Sequence, residues 1–259
     1  MGCALVTGAG QRLGAAMALY LAKRGYDVAV HYASSADGAE RVSDKIIAMG
    51  RQAVTLQADL LDDSATSELF ERAVEALGGP ITCLINNASI FEYDTVQSAT
   101  RESWDRHMGS NLRAPFVLTQ MMAAQGLRSE PDERGEPEAT GLIINMVDQR
   151  VRKLTPEFMT YSLAKMGLWT LTQTTAQALA PAIRVNAIGP GPTLQGSRQS
   201  TQHFESQRRN TVLGRGAHPG DITAALGYFL DAPAVTGQLL CVDGGQHLGW
   251  QTPDVLGVE

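Results

Sequence analysis

A tyrosine and a lysine lie four residues apart near the end of the stretch NMVDQRVRKLTPEFMTYSLAK. On an α-helix, residues i and i+4 share one face, so Tyr161 and Lys165 can point into one site. A tyrosine hydroxyl titrates near ~10, and a neighbouring ammonium group favours the phenolate, which suits the pair to proton exchange. Asp148 lies thirteen residues before the tyrosine. A carboxylate is an unexpected neighbour for a tyrosine that protonates a ketone.

The composition argues against several other classes of function. The 259 residues are 44% hydrophobic and 19% charged, with a formal net charge of −6, a balance typical of globular proteins. An acidic chain without a basic run is not expected to bind nucleic acid. No apolar stretch approaches the ~18 residues that a membrane span needs. We therefore expect a soluble, cytoplasmic protein.

Three cysteines, Cys3, Cys83 and Cys241, lie far apart in apolar runs. An odd count without C-x-x-C spacing argues against a disulfide framework and against a zinc site. We expect buried free thiols and no metal centre.

The elements that must position these residues alternate along the chain. Short apolar runs such as ALVT, DVAVHY and GLIINMV are each followed by a helical pattern or a loop and helix. Runs that are apolar at consecutive positions are typical of strands buried on both faces of a parallel sheet. Repeated β-α units predict one α/β domain over residues 1–259, a Rossmann-type doubly wound parallel sheet of about seven strands with helices on both faces.

Two polar regions interrupt the alternation. Residues 126–141 are predicted to form a solvated loop before the fifth strand of the sheet. Residues 192–219 follow the sixth strand and are predicted as an irregular substrate loop, because ligands of open α/β sheets bind outside the carboxyl ends of the strands. A tail, residues 246–259, extends past the final strand.

A glycine-rich turn, TGAGQRLG, joins the first strand to the first helix. Gly8 and Gly10 can supply unusual backbone angles, and Gly14 permits close packing of helix on strand. The helix N-terminus offers free N–H groups and a positive dipole end to a phosphate. Arg12 stands where a third glycine would be expected, and its guanidinium can pair with a phosphate or lie on the surface. The turn predicts a dinucleotide site.

The residues after the second strand bear on which dinucleotide is bound. An NAD-dependent dehydrogenase often carries an acid there, which holds the ribose 2′-hydroxyl. The letters HYASS contain no acid, and imidazole and hydroxyl groups can donate to a phosphate. We therefore expect NADPH, bound with the help of His31, Tyr32, Ser34 and Ser35. Asp37 is the counter-argument, although it can also serve the start of the following helix.

Seven motifs resemble those of the short-chain dehydrogenase/reductase family over nearly the whole chain. They are TGAGQRLG, AD at 58–59, NNAS at 86–89, Asn111, YSLAK at 161–165, IRVNAIGPGPT at 183–193 and VDGG at 242–245. The resemblance implies that Tyr161 donates the proton, that Lys165 lowers its pKa and holds the nicotinamide ribose, and that Asn111 serves a water-linked relay. Pro115 has no N–H, so it leaves the Asn111 carbonyl free for a water, or it only kinks the helix.

The resemblance also implies the remaining contacts with the cofactor, at the ends of the strands. The predicted cofactor-binding residues are Gly8, Gly10, Arg12, Leu13, Gly14, His31, Tyr32, Ser34, Ser35, Asp59, Leu60, Asn87, Ala88, Ser89, Met146, Tyr161, Lys165, Pro190, Gly191 and Thr193.

The family pattern has a serine at the position of Asp148, and its hydroxyl donates to the substrate's carbonyl oxygen. An ionised aspartate can only accept, and it would repel the oxyanion formed from a ketone unless it is protonated. The substitution therefore argues against a simple ketone or β-ketoacyl substrate. A partly buried carboxylic acid beside Tyr161 can have a raised pKa and help deliver protons to a heterocycle nitrogen, or accept from amino and ring N–H groups.

Four features resemble the pteridine reductases and the related dihydromonapterin or dihydrofolate reductases. They are the arginine in TGAGQRLG, HY with serines after the second strand, NNASIF after the fourth, and the aspartate in NMVDQ. The resemblance implies that Phe91 stacks on the pterin, although it can also be a core residue. The predicted substrate-binding residues are Arg12, Ser89, Phe91, Asp148 and Tyr161.

We therefore expect an NADPH-dependent reductase that transfers hydride to a dihydropterin C=N bond. Two alternatives stay open: a carbonyl or quinone reductase in which Asp148 is protonated, and a non-catalytic NADPH-sensing protein. The family resemblance also implies a homotetramer. In it the tail, 246–259, packs at an interface, or Leu248 or Trp250 borders another subunit's site.

Overall fold

Seven parallel strands form the main sheet of the computed structural model, which describes residues 2–196 and 199–251. Counting two further strands outside the main sheet, the strands of the described residues are β1 (Cys3–Val6), β2 (Asp27–Tyr32), β3 (Ala53–Gln57), β4 (Ile81–Asn86), β5 (Glu130–Pro131), β6 (Pro137–Glu138), β7 (Gly141–Met146), β8 (Ile183–Pro190) and β9 (Leu239–Val242). Their order in the main sheet is β3-β2-β1-β4-β7-β8-β9, and β5 and β6 form a separate antiparallel pair. The predicted doubly wound α/β fold is confirmed.

Helices connect the strands of the main sheet. They are α1 (Arg12–Lys23), α2 (Ala36–Ala48), α3 (Asp63–Leu77), α4 (Arg101–Met108), α5 (Ala114–Ala124), α6 (Met159–Ala178), α7 (Thr201–Arg209) and α8 (Pro219–Asp231). Within the described ranges, none of these helices combines the length and the apolar character that a membrane crossing requires.

The sheet carries a packed core on each face because its strands are apolar at consecutive positions. In β1, Ala4 and Val6 pack with buried residues of α1, α2 and α8, whereas Leu5 packs with residues of α3, α5 and α6. Successive strand residues point to opposite faces, so one apolar run fills both cores. Cys83 of β4 is buried, as expected, but Cys3 and Cys241 are only half-buried.

Residues 101–125 do not form one continuous helix. Residues Gly109–Arg113 form a π-helical turn, in which the Ala114 N–H donates to the carbonyl at the start of the turn. Pro115 has no N–H to continue the regular pattern of hydrogen bonds. Such turns are frequent at functional sites, and this one carries Asn111.

Two helices were missed in the sequence analysis. No residue of α7 is buried, so its sequence carries no hydrophobic period that would mark a helix. The start of α8 does carry signals: Pro219 occupies its first position, and His218 and Asp221 form a capping box in which the His218 N–H donates to Asp221 at 2.7 Å. The loop predicted at 126–141 contains the short β5–β6 hairpin.

The glycine turn between β1 and α1 owes its shape to different residues than expected. Gly8 has a φ of +63°, but Gly10 is not among the residues with positive φ, and Arg12 takes a φ of +54° instead. The expectation of an unusual angle at Gly10 is therefore wrong. Gly10 is needed for close approach, since a Cβ there would lie 2.6 Å from Ser35 Oγ. At Gly14, a Cβ would lie 2.2 Å from the Gly8 carbonyl oxygen.

The packing at Gly14 predicts the effect of adding one methyl group. Gly14→Ala should lower the free energy of unfolding by about 1–3 kcal/mol, because the new Cβ meets backbone that cannot move aside easily. Urea denaturation would measure the loss. The matched control is Gly196→Ala, where a Cβ meets nothing within 4 Å. Equal stability of Gly14→Ala and the wild type would contradict the close packing.

Candidate active site

A cleft of about 740 Å³ opens at the carboxyl ends of β1, β2, β3, β4 and β8. The predicted cofactor-binding residues that line it are Gly8, Arg12, Leu13, Gly14, His31, Tyr32, Ser34, Ser35, Asp59, Leu60, Asn87, Ala88, Ser89, Gly191 and Thr193. Gly10, Met146, Tyr161, Lys165 and Pro190 do not line this cleft. Lining residues that the sequence analysis missed are Gln11, Ala33, Gln57, Leu61, Ile90, Arg106, Ser110 and Leu194. Most of these neighbour a predicted residue in the chain.

His31 supports the glycine turn from the end of β2. Its Nδ1 accepts from the Gly8 N–H at 3.0 Å, and its Nε2 lies 3.2 Å from the Ala58 carbonyl oxygen, to which it must donate. Burial lowers the pKa of His31 to about 4, so the ring is neutral. Both ring nitrogens are engaged, and the expectation that this imidazole donates to a phosphate is wrong.

Asn87 and Thr7 fasten the end of β4 to the glycine turn. Thr7 Oγ1 accepts from the N–H groups of Asn87 and Ala88, both at 2.9 Å. Asn87 Nδ2 returns a hydrogen bond to the Thr7 carbonyl at 2.8 Å. These bonds fix the floor of the cleft where two neighbouring strands end.

Arg12 connects the glycine turn, on one side of the cleft, to the segment after β8 on the other side. Its Nη1 donates to the Gln195 carbonyl at 2.8 Å and its Nη2 donates to the Leu194 carbonyl at 3.0 Å. The guanidinium of the glycine turn thus holds the segment that follows β8. It does not lie unattached on the surface, which was one of the two readings of its sequence position.

Asp148, Tyr161 and Lys165 meet at the end of β7. The Tyr161 hydroxyl donates to Asp148 Oδ2 at 2.8 Å, and the Arg150 N–H donates to Asp148 Oδ1 at 2.8 Å. Lys165 Nζ donates to the Met146 carbonyl at 2.7 Å and lies 5.6 Å from the centre of the Tyr161 ring. The structure therefore brings together the three residues that the sequence singled out.

The three groups influence one another's protonation. Burial raises the pKa of Tyr161 well above its ordinary value, and the Asp148 carboxylate adds to that increase. Burial also raises the pKa of Asp148, against the opposing effect of hydrogen bonds from Arg150 and Tyr161. Burial lowers the pKa of Lys165 to about 8, against the charge of Asp148. The lowering of the Tyr161 pKa by Lys165, which the family resemblance implies, stays a prediction; the groups that oppose burial here are Arg150 and Ser89.

Asn111 is fully buried, and its side chain serves the segment that follows β4. Its Oδ1 accepts from the Ile90 N–H and its Nδ2 donates to the Ile90 carbonyl, each at 2.8 Å. Both polar atoms of the Asn111 side chain are therefore used to hold the backbone of Ile90. A part in a proton relay is left to the backbone of the π-helical turn and stays a prediction.

Phe91 stands in an aromatic cluster beside the tyrosine. Its ring stacks on Phe158, with centroids 4.3 Å apart and planes 9° apart, and it meets the Tyr161 ring edge-on at 4.7 Å. Phe91 is 44% exposed, so it is not a core residue. Phe158 was missed in the sequence analysis, because nothing in its local sequence signals that its backbone takes a φ of +55° and turns the ring back onto Phe91.

A buried polar network supports this cluster from behind. His107 Nε2 accepts from the Glu92 N–H at 3.1 Å, so its Nδ1 donates to Thr160 Oγ1 at 2.7 Å. Thr160 Oγ1 in turn donates to the carboxylate of Asp94. The His107 ring lies 6.0 Å from that of Tyr161. The network ties the segment after β4 to the start of α6.

Comparison with known proteins identifies relatives over nearly the full length. The model of the family described as short chain dehydrogenase matches residues 2–206. The crystal structure of FolM alternative dihydrofolate reductase 1 from Brucella suis in complex with NADP is 41% identical, covers 98% of each chain and has a TM-score of 0.90. The Brucella canis FolM, complexed with NADP, is 39% identical and covers 99% of this chain and 98% of its own, with a TM-score of 0.88.

A second kind of relative is also similar to this chain. The 3-oxoacyl-[acyl-carrier-protein] reductase FabG of Staphylococcus epidermidis is 31% identical over 250 residues, which are 95% of this chain and 98% of its own. The chain is thus similar to proteins whose names describe different substrates.

The contact between Arg12 and the segment after β8 predicts a change in local dynamics. Arg12→Gly keeps the left-handed backbone but removes both hydrogen bonds, and a typical bond of this kind contributes about 1 kcal/mol. We expect the amides of residues 194–196 to exchange with deuterium about fivefold faster, as measured by mass spectrometry. The β5–β6 hairpin provides an internal control. Unchanged exchange at 194–196 would show that the guanidinium does not hold this segment.

Proposed function

The chain belongs to the short-chain dehydrogenase/reductase family, and from this we propose that it is an NADPH-dependent reductase of pterins, acting on the C=N bond of a dihydropterin. The observation that carries the proposal is the hydrogen bond of 2.8 Å between Tyr161 and Asp148. A carboxyl group holds the position at which the family pattern has a hydroxyl.

The residues of the cleft fit NADPH as the cofactor. Gly8 and Gly14 leave room beside the start of α1, where the helix offers N–H groups to phosphates. After β2 the cleft is lined by Ala33, Ser34 and Ser35, and Asp37 lies instead in the first turn of α2. The Brucella FolM structures contain NADP. NADPH, when bound, supplies the hydride.

Reduction of a C=N bond also requires a proton at nitrogen, which Tyr161 and Asp148 can supply together. If Asp148 were ionised, proton loss from Tyr161 would leave two adjacent negative charges in a buried site, which is unfavourable. A protonated Asp148 donates instead to the Tyr161 oxygen, so the Tyr161 hydroxyl proton can go to the substrate nitrogen while the Asp148 proton replaces it. The raised pKa of Asp148 favours this protonated form. Lys165 provides a positive charge beside the pair.

The aromatic surface beside the pair suits a flat heterocycle. Phe91 is partly exposed and meets Tyr161 edge-on at 4.7 Å, so a ring stacked on Phe91 would lie close to the tyrosine. Offset stacking of such rings contributes about 1 kcal/mol beyond burial of area. The amino and ring N–H groups of a pterin also provide donors for Asp148, which a simple ketone lacks.

The alternative is reduction of a carbonyl group, as the name of the FabG relatives describes. An ionised Asp148 would repel the developing oxyanion, so this function is compatible only with the protonated form of Asp148. A non-catalytic NADPH-sensing protein would not need the buried unit of Asp148, Tyr161 and Lys165. The similarity to the two FolM proteins, at 39% and 41% identity, also supports the pterin proposal.

The expectations of a cytoplasmic location and of a homotetramer stay predictions. Leu248 and Trp250 are 59% and 62% exposed, as residues at a subunit interface would be in a single protomer. Residues 252–259 of the tail lie outside the described residues. Light scattering in line with size-exclusion chromatography would measure the assembly.

Substrate choice gives the first test of the proposed function. The enzyme should oxidise NADPH in the presence of dihydrobiopterin, dihydromonapterin or dihydrofolate, followed as loss of absorbance. Asp148→Ser should lower pterin turnover by about 10²-fold, the ordinary contribution of an acid–base group, while ketone turnover stays equal or rises. Turnover of ketones but of none of the three pterins by the wild type would overturn the proposal.

The pH dependence of kcat gives the second test. The active form of Asp148 is protonated, so kcat should fall as the pH rises through its raised pKa. Asp148→Asn cannot titrate, and its lower kcat should lack this decline. A wild-type decline that persists unchanged in Asp148→Asn would assign the titration to another group.

A further inference from the structure

The loop that joins Asp148 to Tyr161 is crossed by the side chain of Arg150. This residue lies in a 3-10 turn, Gln149–Val151, directly after β7 and Asp148. Its Nη1 donates to Thr155 Oγ1 at 2.9 Å, and its Cζ lies 4.8 Å from the centre of the Phe158 ring. The side chain therefore connects the beginning of the loop to its middle and to its end.

Arg150 contacts Asp148 directly and is linked to Tyr161 through the rings of two phenylalanines. Its N–H donates to Asp148 Oδ1, while Asp148 Oδ2 accepts from Tyr161. Its guanidinium lies on Phe158, Phe158 stacks on Phe91, and Phe91 meets the edge of Tyr161. The Phe158 ring is also met edge-on by Tyr93. These contacts run in sequence from the arginine through the two phenylalanines to the tyrosine.

Phe158 needs partners of this kind because its backbone is strained. A φ of +55° is unfavourable for a bulky residue. The same residue begins α6, since its carbonyl accepts from the Ser162 N–H at 2.8 Å. A ring held between Arg150 and Phe91 fixes this start of the helix, and Tyr161 lies in the first turn.

The charge of Arg150 also reaches the pair. It lowers the pKa of Tyr161 and of Asp148, in opposition to burial. Among the described residues, the ion pairs found do not include Arg150. Of the residues that the structure describes, the other ionisable groups near the pair are Lys165, the His107 ring and the Cys241 thiol of β9, whose pKa Asp148 helps to raise. The sequence analysis considered Lys165 alone for this electrostatic effect.

We propose that Arg150 is a positioning residue of the active site, which braces the loop from 148 to 161 and keeps the Tyr161 hydroxyl on the Asp148 carboxyl group. The brace acts on the proton-donating pair itself, so the proposal goes beyond the choice of substrate and holds for a pterin or a ketone. Arg150→Gln removes the charge and the planar cation, whereas Arg150→Lys keeps only the charge.

The experiment compares Arg150→Gln and Arg150→Lys with the control Arg152→Gln. Arg152 lies 5.6 Å from the Trp169 ring centre, so its change removes an equal charge and a comparable ring contact two residues away. In Arg150→Gln we expect kcat to fall at least tenfold with the substrate that the wild type turns over, because small displacements of a reacting group are costly. KM for NADPH should stay within about twofold, since Arg150 is not in the cofactor cleft. Arg150→Lys should recover part of kcat.

The pH profile separates positioning of this pair from a general loss of structure. Removing a cation raises the pKa of a nearby carboxyl group, so the decline of kcat with pH should move to higher pH in Arg150→Gln and not in Arg150→Lys. An unchanged kcat in Arg150→Gln, or an equal fall in Arg152→Gln, would overturn the proposal. If Arg150→Gln does not fold, Thr155→Val removes the acceptor of the Arg150 guanidinium, together with a bond of 3.3 Å to the Glu157 carbonyl, and an unchanged kcat there would overturn the proposal as well. Failure of every pterin substrate would refute only the proposed function.

Discussion

The hydrogen bond from the Tyr161 hydroxyl to Asp148 Oδ2 joins two acids in a site where burial disfavours charge on either. Two adjacent anions would repel each other there, so the pair holds its protons more firmly than the separate residues would. Reactivity then depends on the cations nearby and on the angle at which the two side chains meet. Lys165 and Arg150 provide the charges, from α6 and from the loop after β7.

The sheet and its helices hold Asp148 and Tyr161 at the distance that this hydrogen bond requires. Asp148 follows β7 and Tyr161 lies on α6, so the two elements must stay in register. Below the site, Asn145 of β7 accepts from Asn86 of β4 at 2.8 Å and donates to Thr172 of α6 at 2.9 Å. This buried chain of side chains links two central strands to the helix. Because buried polar groups are costly when unpaired, it favours one arrangement of the three elements.

The sequence was sufficient for those parts of the site that repeat a backbone pattern. Alternating apolar runs predict the sheet, and the spacing of Tyr161 and Lys165 predicts one helical face. Contacts made by tertiary packing were not predictable in this way. His31 reads as a phosphate donor until Gly8 and Ala58 are seen to use both ring nitrogens. Phe158 enters the site only through a left-handed backbone angle that its neighbours in the sequence do not signal.

The cofactor cleft and the region around Asp148 therefore differ in the kinds of residue from which they are built. The cleft at β1 to β4 is built from backbone groups, glycines and small polar residues, which suit a dinucleotide whatever the second substrate is. Under the proposed function, substrate choice rests on Asp148 and Phe158, between the end of β7 and the start of α6, and on Phe91, which lies after β4. Under the proposed function, the carboxyl group of Asp148, more than the fold, favours a nitrogen heterocycle over a ketone.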